Sequence, residues 1–394
     1  MTHRNLLAVC AGAVFGMSAF TSAQSLDYSA SLANDVVGDA AGRTSLLGGG
    51  AATVRPFVQT QLRYVVNSRD MVGPMEEDTA TGFQARRTKV GVEGEVERFT
   101  YRVNGAFDRD GGAFVLEDAF FAWELDDNWS GQAGQFKLPF LREESISSTK
   151  QLAAERSITN EFFNQDRSQG IMFTFTDENF RFFGAFSDGF GTANSDFTSG
   201  AEADYAFTAR GDWKYEGDWT AFEDFTNLGG TDAGMVGVAG HWQDGGSTFG
   251  TMDTQLFALT ADWQHEMGPW NFYAAAIWRS IDPAGGENVD DIGFIGQAGY
   301  LFNENWEGFG RFDIIIPDDD AAGEPDDFYT VTVGVNRYID GHNAKFTADF
   351  QWFLTEQMST GGATNAPAST GTGLLASADD SQYALRLQMQ LVAK

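Results

Sequence analysis

Cysteine is almost missing from this chain of 394 residues: Cys10 is the only one. It lies inside an apolar run, Leu6 to Phe20, that follows His3 and Arg4 and ends at Thr21-Ser22-Ala23. A short basic start, an apolar stretch and small residues mark a cleaved export signal, placed here at residues 1–23 with the cut before Gln24. With that segment removed no thiol remains, which excludes disulfides and thiolate chemistry even though export permits disulfides. Beyond it, no apolar run reaches the roughly 18 residues of a membrane-spanning helix. Histidine is scarce as well. His241, His265 and His342 are the ones outside the leader, and none has a Ser/His/Asp or zinc-ligand spacing. Each is expected at the surface or a rim, and no catalytic residue, metal or cofactor is expected. Basic residues number 25 against 56 acidic ones, a formal net charge of −31. A chain so acidic offers no basic face to a phosphate backbone, which excludes nucleic acid as a partner.

What the chain does have is Phe (35), Trp (10) and Gly (46), with only 8 Pro. They are arranged in steps of two. Tyr205, Phe207, Ala209, Gly211, Trp213 and Tyr215 alternate with Ala206, Thr208, Arg210, Asp212 and Lys214. Phe257, Leu259, Ala261 and Trp263 alternate with Ala258, Thr260, Asp262 and Gln264 in the same way. Period two with one apolar and one polar face predicts half-buried strands. About sixteen such segments run from Val58 to Leu391, beginning near 56–66, 84–96 and 99–108 and ending near 328–338, 344–354 and 382–391. Their connections sort by parity. Glu97-Arg98, Asp177 to Asn179, Met267-Gly268-Pro269 and Asn303-Glu304-Asn305 are short, whereas the intervening 138–169, 188–202, 317–327 and 355–381 are long. Short turns on one rim, long loops on the other and Trp near strand ends predict an all-β, transmembrane antiparallel β-barrel. Residues 216–233 break the rule, being long where a short turn is due.

In such a barrel the apolar face meets lipid and the charged face a wet interior. Interior parity collects Arg63, Arg87, Lys89, Arg102, Arg210, Lys214, Arg279, Arg311, Lys345 and Arg386, but equally Glu93, Glu95, Asp108, Asp118, Glu124, Asp212, Asp262, Asp313 and Asp349. The basic set either forms a track for anions or neutralises its neighbours. Among the outer acidic segments, Asp318-x-Asp320-x-x-Gly323 lacks the fifth- and twelfth-position ligands of an EF-hand, since Ala322 and Tyr329 stand there.

Residues 83–176 resemble the phosphate-selective porin family, porins O and P. The resemblance rests on Phe83-Gln84-Ala85-Arg86-Arg87-Thr88-Lys89-Val90-Gly91-Val92-Glu93-Gly94, on Leu116-Glu117-Asp118-Ala119-Phe120-Phe121 and on Gly134-Gln135-Phe136-Lys137-Leu138-Pro139-Phe140. Ser147-Ser148, Glu155-Arg156 and Asp166-Arg167 follow in the family's order, and Thr332 to Tyr338 extends the match towards the last strand. The resemblance implies a sixteen-stranded, usually trimeric barrel that passes anions, with the long loop after the fifth strand folded inward as a constriction. Carried over, the constriction residues are Arg86, Arg87, Lys89, Lys137, Ser147 and Ser148. Period two admits only one of Arg86 and Arg87 to the interior, and the parity of Lys89 favours Arg87. The chain departs from the family in two places. Acids offset the bases of the inward loop, and the C-terminus, Met389 to Lys394, lacks a terminal aromatic.

The organisation expected is an export signal at 1–23, an N-terminal periplasmic segment at 24–53 and an outer-membrane barrel at 54–394. The function expected is a water-filled channel for small hydrophilic solutes, including anions such as phosphate, in a homotrimer embedded in outer-membrane lipid and lipopolysaccharide. The alternative is a plugged structural or adhesive barrel without transport.

Overall fold

The computed structural model describes residues 52–69, 79–109, 111–247, 253–318, 326–355, 369–375 and 381–394. The expected export signal, nearly all of the segment 24–53 and the acidic stretch at 76–78 lie outside the described residues. Alternation carries the chain into sixteen strands. They are β1 (Ala52–Ser68), β2 (Thr79–Val96), β3 (Phe99–Phe107), β4 (Phe114–Glu124), β5 (Trp129–Lys137), β6 (Arg167–Thr176), β7 (Phe180–Ser187) and β8 (Tyr205–Glu216). The second half comprises β9 (Ala233–Asp244), β10 (Gln255–Met267), β11 (Trp270–Asp282), β12 (Val289–Asn303), β13 (Trp306–Ile316), β14 (Phe328–Asp340), β15 (Ala344–Phe353) and β16 (Gln382–Ala393). Each strand pairs antiparallel with its neighbours in sequence, and β16 closes on β1 from Val58↔Ala393 to Ser68↔Tyr383. Closure leaves no unpaired edge, as a lipid-embedded sheet requires.

Burial is inverted relative to a water-soluble sheet. On β8 the apolar Phe207 and Trp213 are exposed while Thr208, Arg210, Asp212 and Lys214 are buried. The tryptophans form two girdles on the outer face. Trp129, Trp213, Trp263 and Trp270 lie near the short-turn rim, and Trp242 and Trp352 near the long-loop rim.

The interior, expected to be wet, is largely filled. The connection between β5 and β6 folds inward and carries two short helices, α1 (Arg142–Ser145) and α2 (Ile158–Phe163). Its Leu138, Phe140, Leu141, Ile146, Leu152, Ile158 and Phe163 pack with Tyr273, Ile277, Ile295, Phe309 and Phe353 of the wall. Apolar side chains at interior parity on β11 to β15 make this possible, so that side of the barrel is filled by an apolar core.

The turn that broke the parity rule also folds inward. Its 3-10 helix, Trp219–Glu223, brings the Phe222 carbonyl to Arg142 Nη2 (2.5 Å) and Glu223 to Lys150 Nζ (2.9 Å). Phe225 packs on Tyr273, and the Thr226 hydroxyl donates to Glu307 (2.8 Å). The segment thus closes over the inward loop from the short-turn side. His241, expected at a rim, is instead buried in the interior wall. It is hydrogen-bonded to Thr208 and Gln243 and stacked on Phe190, because the β7–β8 loop also turns inward over it.

Candidate functional site: a charged cavity between the inward loop and β1 to β6

The loop is anchored to the far wall by side chains that sequence parity placed inside. Arg210 donates to the Phe140 carbonyl (3.0 Å), Arg279 to Phe162 (3.0 Å), Arg311 to Glu155 (2.9 Å) and Lys345 to Gln151 (2.6 Å). Wall carboxylates match the wall guanidiniums: Arg210 meets Asp262 (2.8 Å), Arg279 meets Asp291 (2.6 Å) and Arg386 meets Asp349 (2.7 Å). A buried charge is kept by an opposite charge beside it, and each of these guanidiniums has one. Arg210, Arg279, Arg311, Lys345 and Arg386 therefore neutralise their neighbours or hold the loop. They do not form a track.

The near side is different. Between the loop and β1 to β6 lies a cavity of about 340 Å³. All six residues expected at the constriction line it: Arg86, Arg87, Lys89, Lys137, Ser147 and Ser148. Arg102, Arg156 and Arg167 join them, opposed by Glu117, Asp118, Glu144, Glu161 and Asp166. Seven bases face five carboxylates, a formal excess of two positive charges in a protein whose total is −31.

Both arginines of the Arg86-Arg87 pair reach the interior, contrary to the parity expectation. The register of β1 with β2 steps from Gln61↔Arg87 to Leu62↔Ala85, so Arg86 is the extra residue of a bulge. An inserted residue breaks the ladder locally and shifts the alternation by one, which lets two adjacent side chains turn inward. A second bulge does the same on β4. There the pairing passes from Asn104↔Asp118 to Gly105↔Leu116, which frees Glu117 to turn inward beside Asp118. Parity had selected Asp118 and missed Glu117. The signal was present as two adjacent charges of one sign in an alternating membrane strand, which only a bulge can keep out of lipid.

The inserted residues are paired at once. Glu155, delivered by the loop, accepts from Arg86 Nε (2.6 Å) and Arg87 Nη2 (2.7 Å) and also meets Arg63. One carboxylate thus serves three guanidiniums. Behind them the segment before β16 supplies the Gly371 carbonyl to Arg63 (2.9 Å) and Arg86 (3.1 Å). Lys89 pairs with Glu117 (2.6 Å), and Arg167 bridges Asp118 (2.7 Å) and Glu117 (3.4 Å). Lys137 pairs with Glu144 and also donates to its carbonyl (2.6 Å). Ser148 accepts from Gln59 (3.2 Å), while the Ser147 hydroxyl lies 3.0 Å from that of Thr149.

Burial alone would raise the Glu144 carboxyl, but Arg156 and Lys137 outweigh it and hold the group at about 2. Burial is likewise overridden at Glu155, which Arg86, Arg87 and Arg63 hold well below the usual carboxylate range. Among the described residues no group of His, Cys, Asp and Glu is arranged to hold a metal ion.

The sequence model of the phosphate-selective porin O and P family matches residues 58–392. The chain belongs to this family. It is a porin, an outer-membrane channel, and its barrel has the fold of solved porins. An anion-selective porin from Comamonas acidovorans superimposes with a TM-score of 0.61 at 12% identity, over 87% of this chain and 100% of that one. The outer-membrane channel DcaP of Acinetobacter baumannii gives 0.58 at 10%, covering 86% and 97%. OmpT of Vibrio cholerae in a trimer form gives 0.55 at 12%, covering 86% and 99%. A comparison with curated protein sequences finds no match.

Proposed function

We propose that this porin passes small inorganic and organic anions, with phosphate as the type solute, through the cavity between the inward loop and β1 to β6. The observation that carries the reading is the local excess of bases in an acidic protein. Charges on outer loops are screened beyond about 8 Å at physiological salt. An ion in the narrow passage responds to the groups beside it, where little water intervenes. Arg86, Arg87, Lys89 and Lys137 then supply the attraction, and Ser147 and Ser148 supply hydroxyls that can replace part of the solute's hydration shell. The carboxylates among them keep the site from holding an anion too tightly to release it, as conduction requires.

A trimeric neighbour of the same fold supports a homotrimer; the reading further sets it in outer-membrane lipid and lipopolysaccharide, exported through the signal at 1–23, with residues 24–53 as a periplasmic lead into the barrel. The plugged-barrel reading keeps one observation in its favour, the filling of the interior by the loop and by the turn from Gly217 to Asp232. Planar-bilayer recordings separate the two. The porin conducts, and its reversal potential in a salt gradient has the anion sign, weakened by Arg87→Ala combined with Lys137→Ala. A cation-selective wild type would end the anion reading, and a silent barrel would favour the plug.

A further inference from the structure

We propose that Glu161 is a selectivity-determining residue of the passage, its carboxylate acting as a pH-dependent charge that weakens anion preference when ionised. The proposal rests on the anion-channel reading and goes beyond it by assigning the control of selectivity to one side chain.

Four of the five carboxylates lining the cavity have an ion-pair partner. Glu117 has Lys89 and Arg167, Asp118 has Arg167, Asp166 has Arg167 (3.3 Å), and Glu144 has Lys137 and Arg156 (3.3 Å). Glu161 lines the same cavity, and among the described residues its carboxylate has neither an ion pair nor a hydrogen bond. It cannot swing away with its backbone, because α2 is fixed on both sides. Thr159 is held by Asp313 (3.2 Å) and donates to the Ile314 carbonyl (3.0 Å), Arg279 holds the Phe162 carbonyl (3.0 Å), and Phe163 is buried in the core.

The charged groups around it come from every side: Glu144 from α1, Glu155 and Arg156 from the loop, and Arg86 and Arg87 from β2. The arginines already share Glu155, so little positive charge is left for Glu161. Burial, with Glu144 and Glu155 nearby, pushes its carboxyl up to about 7. The sign follows. Below that pH Glu161 is neutral and seven bases face four charged carboxylates. Above it the fifth charge appears and the excess shrinks. A unit charge about 4 Å from an ion is worth about a factor of five even with full aqueous screening.

The experiment measures reversal potentials of the full-length porin in bilayers under a potassium chloride gradient, from about pH 5 to about pH 9, a range that brackets this titration. In the wild type the anion-to-cation permeability ratio should fall about fivefold as pH rises through 7. Glu161→Gln should remove Glu161's part of that fall, so that the two profiles separate as pH rises through 7 and the variant keeps the higher ratio. If Glu161→Gln keeps the wild-type pH profile, or the wild type shows none, the assignment is overturned. A wild type that is cation-selective at every pH ends the anion reading instead, and Glu161 still stands if the ratio falls with pH and falls less in the glutamine variant. Glu161→Cys guards against a folding defect in the first variant, since Cys10 is the chain's only other cysteine. Negatively charged thiol reagents should then lower anion preference and positively charged ones raise it. Modification that leaves selectivity unchanged overturns the proposal.

Discussion

Replacing Glu155 by alanine should destabilise the porin by about 3–5 kcal/mol, the usual cost of stranding a buried charge. The size follows from how unequally its three partners can recover. Arg86 and Arg87 side chains are 15% and 10% exposed and border the cavity, so water can reach them. Arg63 is wholly buried and is left with neutral acceptors only: Gln388 (2.6 Å), the Gly371 carbonyl (2.9 Å) and the Ala154 carbonyl (3.3 Å). Those acceptors moderate the loss without restoring the charge, so Arg63 carries most of it. The assay is reversible unfolding in guanidinium from lipid vesicles, read alongside bilayer conductance. Stability should drop, and anion preference should rise in whatever fraction keeps the loop seated. A Glu155→Ala porin within about 1 kcal/mol of wild type would refute the claim that this carboxylate is the keystone of the arginine cluster. Acid offers an independent check. Glu144 and Glu155 both ionise more readily in the folded porin than in the unfolded chain. Their stabilisation is therefore complete above the ordinary carboxylate value of 4.5 and is lost as pH falls through about 2, where Glu144 protonates. The loop should stay seated from neutral pH to about pH 5.

The lipid face can be tested with Phe207→Arg, which should cost roughly 2–4 kcal/mol, against a mild effect of Gln132→Arg on the interior face; equal damage at both would remove the case for a lipid-facing band. Interior threonines are unsuitable controls, because Thr208 and Thr260 are buried in the packed wall. Deleting about Glu143 to Asn160 should raise single-channel conductance, since those residues carry most of the inward loop. A folded deletion mutant with unchanged conductance would mean that ions do not pass beside this segment.

All sixteen strands were legible in the sequence, with the largest offset at the start of β2, expected at 84 and found at Thr79. So were the sorting of loops by rim, the lipid-facing aromatics and the six cavity residues, the last through family resemblance. Period two is a property of the chain's own backbone, and a membrane enforces it at every step because a charge facing lipid has nowhere else to go. Tertiary structure decided the rest. Whether Arg86 and Glu117 face inward depends on the register each strand keeps with its neighbour, which neither strand carries alone. Whether a basic interior residue attracts solute or only holds the loop depends on its partner. Arg210 and Arg87 look alike in sequence, yet one is locked between Asp262 and the Phe140 carbonyl while the other borders an open cavity. That distinction is made by the loop, whose seat is fixed by contacts with strands far along the chain, from Gln264 to Gln390. Alternation is local and can be read from neighbours in sequence, whereas charge compensation is set by groups that only folding brings together.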